Sequence, residues 1–276
     1  MPIRAVLFDI DGTLVDSNEQ HVNAWAFAFR DEGHPQERDD IRAQIGKGGD
    51  LLVPALLPTA SEDVRQRIAD AQGAHFKTIY LDQIRPFADA AALVRHVHHS
   101  GRKVVLASSA KQEELDHYIE LLELDGIIDA TSSIDDVETS KPEPDIFAVA
   151  LEKVSVAADD AIVIGDTIYD VAAALRAGIV TIGVTSGPFD ERQLRDAGAI
   201  AVYRDVAALL AHFDRSPLGG PPVVADGHEA ALRADDLAEP RPGDDAEIMS
   251  ETPIPPPPLS EEEELSAEAA PELRVP

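Results

Sequence analysis

Short apolar runs recur along the first 215 residues and predict strands. Each run is apolar throughout rather than alternating, which is typical of strands that helices cover on both faces. The runs are "IRAVLF" (3–8), "KVVLAS" (103–108), "GIIDAT" (126–131), "AIVIGD" (161–166), "VTIGV" (180–184) and "AIAVY" (199–203).

Amphipathic helical patterns separate these runs, among them "KQEELDHYIELLEL", "PDIFAVALEKV" and "YDVAAALRAG". Strand-length runs that alternate with helix-length segments indicate β-α-β units and a parallel sheet. We therefore predict a Rossmann-like, doubly wound α/β core that comprises residues 1–15 and 86–215.

Residues 16–85 break this alternation, because they contain helical patterns and no good strand candidate. The sequence predicts a helical cap domain here, inserted after the first strand and placed over the sheet edge from which the chain departs. The helical stretches are 18–33, 36–46, 50–57 and 61–84.

The composition changes near Ser216. Residues 216–276 contain 15 Asp and Glu against 3 Arg and no Lys, together with proline-rich stretches such as "PIPPPP". A segment so acidic and so poor in apolar periodicity is predicted to be disordered. It is either a solvating tail or an acidic arm that binds a protein partner.

The overall composition narrows the classes of function. Of the 276 residues, 44% are hydrophobic, and the net charge of −29 disfavours nucleic acid as a partner. The absence of cysteine excludes disulfides and thiolate chemistry. No apolar stretch resembles an export signal or a membrane span, so we expect a cytoplasmic protein without a membrane partner. The oligomeric state stays open.

The stretch "FDIDGTLVDS" places Asp9 and Asp11 at the end of the first predicted strand. In an extended segment these two side chains point the same way, and ligands bind at this end of parallel strands. Two close carboxylates need a cation or a shared proton, and Mg²⁺ suits oxygen ligands. The alternative is that Asp11-Gly12 only forms a turn.

Further polar residues follow later strands or open helices nearby. Ser108 ends the run "KVVLAS", where it either holds a phosphate oxygen or caps a helix. Lys141 precedes a helix and is either a charge partner for phosphate or a solvated loop residue. Asp166 ends "AIVIGD" as a candidate third carboxylate, and Asp170 either belongs to the site or caps the next helix.

Four elements follow one another along the chain: the pair Asp9 and Asp11, then Ser108, then Lys141, then Asp166 with Asp170. In this order they resemble the motifs of the haloacid dehalogenase-like hydrolase superfamily, in the branch of phosphoglycolate phosphatase and β-phosphoglucomutase with a C1-type helical cap. The motifs are D-x-D-G-T, the serine after a strand, the lysine and G-D-x-x-x-D. The resemblance covers residues 3–212, and the acidic tail has no counterpart in it.

The resemblance implies a role for each residue. Asp9 would be the nucleophile that forms an aspartyl-phosphate, and Asp11 the general acid and then the general base. Mg²⁺ would be held by the Asp9 carboxylate, the Asp11 backbone carbonyl and Asp166, with support from Asp170. The phosphoryl-binding residues would be Ser108 and Lys141, while Thr13 would either steady the acid or be structural.

The sequence Asp11-Gly12-Thr13 favours phosphomonoester chemistry within this superfamily. The stretch "IGKGGDLL" (45–52) resembles a cap loop, in which Lys47 either faces an anionic substrate or lies on the surface. Gly49 stands where related phosphomutases carry arginine. We expect a Mg²⁺-dependent phosphatase for a small phosphorylated metabolite. The alternatives are a β-phosphoglucomutase-like enzyme, a non-catalytic scaffold and an aspartate-bearing receiver domain.

Overall fold

All six strands that the apolar runs predict are present in the computed structural model, which describes residues 3–220. In chain order the elements are β1 (Ala5–Phe8), β2 (Val15–Asp16), α1 (Asn18–Asp31), α2 (Arg38–Arg42), α3 (Gly49–Leu56), α4 (Glu62–Ile79), β3 (Arg85–Pro86), α5 (Ala90–His99), β4 (Lys103–Ala107), α6 (Gln112–Leu121), β5 (Ala130–Ser132), α7 (Asp145–Val154), β6 (Ala161–Gly165), α8 (Ile168–Arg176), β7 (Val180–Val184), α9 (Glu191–Ala197), β8 (Ala201–Tyr203) and α10 (Val206–Ala211). None of the described helices has the length and apolar character needed to cross a bilayer.

The six strands form one parallel sheet in the order β5-β4-β1-β6-β7-β8. Strand β1 lies in the middle, between β4 and β6, and its residues face both sides of the sheet in alternation. Val6 and Phe8 belong to one apolar cluster, whereas Ala5 and Leu7 belong to the other. The prediction of a doubly covered, Rossmann-like sheet is therefore confirmed.

Helices pack on both faces of this sheet and supply the two clusters. Residues from α5, α6 and α10 join the side of Phe8, while residues from α7 and α8 join the side of Leu7. The central strands are buried on both faces. The packed core therefore holds the polar residues at the strand ends in fixed positions.

Residues between β2 and β3 form the four predicted helices, and these have an apolar cluster of their own. Its members come from α1, α3 and α4 and from the α2 region; they are Val22, Trp25, Ala28, Phe29, Ile41, Ile45, Leu52, Val53 and Ile68. The chain enters and leaves this helical region through β2 and β3, which pair antiparallel. Two-residue strands carry too little periodicity to be predicted from sequence.

The described chain continues past the predicted end of the core at residue 215. Leu218 is fully buried within the cluster on the Phe8 side. The buried guanidinium of Arg102 donates to the Leu218 carbonyl oxygen at 2.7 Å and to that of Gly220 at 3.2 Å. Residues 216–220, assigned to the tail by composition, thus pack against the sheet and its helices. The disorder predicted for the rest of the tail lies outside the described residues.

Truncation of Leu218 tests whether this segment contributes to the core. Leu218→Ala is expected to lower the free energy of unfolding by about 3 kcal/mol, because it removes a buried side chain and leaves a cavity. Chemical denaturation of the full chain measures the change.

Leu175→Ala is the matched control, because Leu175 is 66% exposed. It should change the free energy of unfolding by no more than about 0.5 kcal/mol. Equal effects of the two substitutions would contradict the packing of residues 216–220.

Candidate active site

The carboxyl ends of β1 and β6 place two of the predicted acidic residues side by side. Phe8 lies level with Leu106 on β4 and with Ile164 on β6. Asp9 follows β1 directly, and its backbone N–H donates to the Ile164 carbonyl oxygen at 2.9 Å. Asp166 directly follows β6. The sheet register alone therefore brings residues that are far apart in sequence to one edge.

Lys141 is buried between Asp9 and Asp170. Its Nζ donates to Asp9 Oδ1 at 2.5 Å and to the Ala107 carbonyl oxygen at 2.9 Å, and it lies 2.7 Å from Asp170 Oδ1. Only 1% of Lys141 is exposed, so it is not a solvated loop residue. Burial alone would lower the pKa of Lys141, but the carboxylates of Asp170 and Asp9 outweigh burial and raise the pKa.

Asp170 belongs to the site and to the helix cap at the same time. The Thr167 hydroxyl and backbone N–H donate to Asp170 Oδ2 at 2.6 and 3.0 Å, and the Asp170 N–H donates to the Thr167 hydroxyl at 3.1 Å. This capping box begins α8. The second carboxylate oxygen, Oδ1, pairs with Lys141. The two interpretations of Asp170 from sequence are therefore compatible.

Asp166 is fully buried, and its described hydrogen bonds come from neutral donors. The Thr13 hydroxyl donates to Oδ1 and the Asn18 amide to Oδ2, each at 3.0 Å. Burial raises the pKa of Asp166 well above its usual range, and the charges of Asp9 and Asp170 raise it further. Thr13 thus contacts the carboxylate of Asp166, not that of Asp11.

Two glycines let the backbone close around Asp166. Gly12 has a φ of +79°, and a Cβ there would lie 2.2 Å from Asp166 Oδ2. At Gly187 the corresponding distance is 1.8 Å. The glycine of D-x-D-G is therefore required both by a left-handed backbone and by the space that this carboxylate occupies.

Asp9, Asp166 and Asp170 each offer a carboxylate oxygen, and these oxygens lie within 4.8 Å of one another. When all three carboxylates are ionised, the single ammonium of Lys141 leaves two negative charges unbalanced in a buried space. Burial, opposed by Lys141 and reinforced by Asp170, raises the pKa of Asp9 to about 7. The donor atoms are all oxygens, and their two excess negative charges would be balanced by one divalent cation. Both properties fit Mg²⁺.

The Asp11 carboxylate is not one of this group, and three side chains contact it. Ser17 and Tyr118 donate hydroxyl protons to Asp11 Oδ1 at 2.6 and 3.3 Å, and His21 Nε2 lies 3.1 Å from the same oxygen. Burial would raise the pKa of Asp11, but His21, then Ser17 and Tyr118, outweigh burial and lower the pKa. These contacts all go to Oδ1, and the predicted metal contact of Asp11 is through its backbone carbonyl, not through this oxygen.

His21 connects Asp11 to the helical region. Burial would lower the pKa of His21, but the Asp11 carboxylate outweighs burial and raises it. The imidazole stacks on Phe76 of α4, with ring centroids 3.9 Å apart, and its Nδ1 lies 3.4 Å from Gln72 Nε2. The candidate acid is thus oriented by side chains from α1, α4 and α6.

Ser108 lies at the predicted strand end, and Lys47 lies in the predicted loop. Ser108 is buried, and its hydroxyl accepts a hydrogen bond from the Ala110 N–H at 3.1 Å. It does not cap α6, whose N-cap is Lys111. Lys47 Nζ donates to Gln44 Oε1 at 2.6 Å and lies 4.6 Å from the centre of the Tyr169 ring. Burial lowers the pKa of Lys47.

A cavity of about 320 Å³ opens onto Asp9 and Asp11, and both Ser108 and Lys47 line it. Part of its wall is the loop between α2 and α3, which is docked on the strand-end loops. Gly48 N–H donates to the Ser140 hydroxyl at 2.9 Å, and Ser140 N–H donates to Asp50 Oδ2 at 2.9 Å. The helical region therefore forms part of the wall of this cavity.

Sequence reasoning missed four residues that position the carboxylates, namely Ser17, Asn18, His21 and Tyr118. Asn18 and His21 are three residues apart at the start of α1, which follows the D-x-D-G-T motif after the short strand β2. A polar pair on one face of the first helical turn after such a motif is a usable signal. Tyr118 carries no comparable signal, because on sequence it belongs to the apolar face of α6.

The sequence matches the family model of the haloacid dehalogenase-like hydrolases over residues 6–184. This match covers more than half of the chain, so the chain belongs to this family and is an enzyme of the hydrolase class. The resemblance inferred from the four motifs is confirmed.

Similar proteins agree with this assignment. The chain is 27% identical to a phosphorylated carbohydrates phosphatase of Thermotoga maritima, over 73% of this chain and 94% of the relative. It is 27% identical to the pyrophosphatase PpaX of Bacillus cereus, over 67% and 84% of the respective chains. A hydrolase structure from Pseudomonas syringae superposes with a TM-score of 0.72 and 32% identity, covering 76% and 98%.

Mg²⁺ is expected to raise the melting temperature more at about pH 8 than at about pH 5. The pKa of Asp9 is raised from 3.8 to about 7 on folding. Since the unfolded state ionises this carboxyl more readily, the metal-free protein loses stability as the pH rises from about 4 to about 7. A divalent cation offsets that loss. Thermal unfolding in a chelator and in Mg²⁺ at both pH values measures the difference.

Two variants control this experiment, with ionic strength matched by sodium chloride. Asp166→Asn removes a carboxylate of the proposed metal site and should lose most of the response to Mg²⁺. Asp125→Asn changes an exposed aspartate and should keep it. A response that is independent of pH, or that survives in Asp166→Asn, would contradict the assignment.

Proposed function

We propose that the protein is a Mg²⁺-dependent phosphatase that hydrolyses a small phosphorylated metabolite through an aspartyl-phosphate on Asp9. The observation that carries the proposal is the pairing of Asp9 with the buried Lys141 at the base of the cavity, next to two further carboxylates. The names of the two relatives, a phosphatase for phosphorylated carbohydrates and a pyrophosphatase, support this chemistry.

Asp9 is assigned as the nucleophile. Lys141 holds Asp9 Oδ1, so we assign the attack on phosphorus to the other oxygen. A bond forms between this oxygen and phosphorus while the bond from phosphorus to the leaving oxygen breaks. Water then attacks the same phosphorus, which releases phosphate and restores the carboxylate. The rigid end of β1 fixes the nucleophile, and fixed geometry supplies much of the rate in phosphoryl transfer.

Asp11 and His21 are assigned to proton transfer. They lie 3.1 Å apart, so one proton can move between His21 Nε2 and Asp11 Oδ1. Ser17, Tyr118 and His21 all contact Oδ1, which leaves Oδ2 free of these contacts. We propose that Asp11 enters the reaction protonated on Oδ2, gives this proton to the leaving oxygen and takes one back from the attacking water, while His21 at Oδ1 stabilises the carboxylate in between.

The remaining residues neutralise and position the transferred group. Mg²⁺ would be held by Asp9, Asp166 and the Asp11 backbone carbonyl, with Asp170 close by. When bound, it would supply positive charge that stabilises the phosphoryl oxygens. The Lys141 ammonium already has three acceptors around it. A phosphoryl oxygen would therefore accept a hydrogen bond from an N–H that also donates to one of them. The buried Ser108 offers its hydroxyl proton from the neighbouring strand end.

Asp9→Asn is expected to reduce the hydrolysis of p-nitrophenyl phosphate by about 10⁴-fold or more, because the amide is not a nucleophile. Release of p-nitrophenol with Mg²⁺ present measures turnover, and thermal unfolding confirms that the variant is folded.

Asp125→Asn is the matched control, and its turnover should equal that of the wild type. Full activity of folded Asp9→Asn would overturn the assignment of the nucleophile. Conversion of a hexose 1-phosphate to the 6-phosphate, without release of phosphate, would instead identify the protein as a phosphomutase.

His21→Gln is expected to lower kcat by about 100-fold with a smaller change in KM, because the proton partner of Asp11 is lost. His75→Gln is the control. His75 stacks on Phe27 at 3.8 Å, much as His21 stacks on Phe76, but no described contact joins it to Asp11. Equal kinetic effects of the two substitutions would show that only the packing of the helices matters.

A further inference from the structure

Glu114 is a carboxylate on the cavity wall that the proposed chemistry does not use. It lies in the first turn of α6, one turn before Tyr118, and lines the same cavity as Asp11 and His21. Among the described residues, none donates a hydrogen bond to its side chain. A partly buried carboxylate without a protein donor has unused capacity for a hydrogen-bond donor of the ligand.

The surroundings of Glu114 make a second negative charge unfavourable there. Burial raises the pKa of Glu114 to about 7, opposed by His21 and reinforced by Asp11. The exposed Lys111, which is the N-cap of α6, also opposes the rise in the pKa of Glu114. A substrate that brought a carboxylate or a second phosphate to this wall would meet a like charge at close range.

Another part of the cavity wall offers groups that suit hydroxyls. It is formed by α4, where Gln66, Asp70 and Gln72 line the cavity, and Gln66 Nε2 donates to Asp70 Oδ1 at 2.9 Å. Lys47 and Arg65 also line the cavity. Lys47 donates to Gln44, and Arg65 donates to the Pro58 carbonyl oxygen at 2.9 Å, while the buried Nε of Arg65 has no hydrogen-bond partner among the described residues.

We propose that Glu114 is a specificity-determining residue, which accepts a hydrogen bond from a hydroxyl of the leaving group and repels leaving groups that carry a second anion. The inference rests on the proposed function and names its substrate class, monophosphorylated polyhydroxy compounds. Phosphoglycolate and bisphosphates fall outside that class.

A matched pair of ligands tests the proposal. Glycerol 3-phosphate and 3-phosphoglycerate share a three-carbon skeleton and differ in a hydroxymethyl group against a carboxylate. Each is measured as a competitive inhibitor of p-nitrophenyl phosphate hydrolysis, so neither needs to be turned over. The wild type should bind glycerol 3-phosphate more tightly by about tenfold, and Glu114→Gln should bring the ratio of inhibition constants close to one.

Glu113→Gln is the control, because Glu113 is the neighbouring exposed carboxylate on α6 and pairs with Lys77 at 2.6 Å. It should keep the ratio of the wild type. A ratio that Glu114→Gln leaves unchanged, or that Glu113→Gln changes equally, would overturn the proposal. Loss of all activity in folded Glu114→Gln would overturn it too, because the residue would then act in the chemistry. If the wild type itself fails to hydrolyse p-nitrophenyl phosphate, the proposed function fails instead.

Discussion

The site depends on the buried ammonium of Lys141. A cation with 1% exposure is stable only if acceptors surround it, and Asp9, Asp170 and the Ala107 carbonyl oxygen do so. These acceptors come from the end of β1, the start of α8 and the end of β4. The ion pairs therefore fix the relative positions of three segments, and they also hold the candidate nucleophile in one orientation.

This interaction neutralises only part of the charge at the site. Asp166 receives neutral donors from Thr13 and Asn18 and has no described cation beside it. Gly12 and Gly187 admit the carboxylate at distances that a Cβ would forbid. The fold thus brings together more buried negative charge than its own lysine can balance. A site for a divalent cation is the simplest physical reason for such an arrangement.

The helical region contacts the candidate acid and also forms part of the cavity wall. His21 and Gln72 connect the Asp11 carboxylate to α1 and α4, and Gly48 and Asp50 bind the strand-end loop at Ser140. A change in the position of these helices would therefore alter both the shape of the cavity and the hydrogen bonds of the candidate acid.

The sequence by itself determined the six strands, the helical insertion and the edge of the sheet at which Asp9 and Asp166 meet. It could do so because burial on both faces imposes uninterrupted apolar runs, and because parallel strands end on the same side. Only the tertiary structure decided which partner each polar group has. The contact of Thr13 with Asp166 joins residues that are 153 positions apart. The burial of Lys141, the contact of His21 with Asp11 and the packing of Leu218 likewise depend on residues that are separated in the sequence. Such contacts leave no periodic trace in the sequence, since each is set by the distance between elements after they have packed.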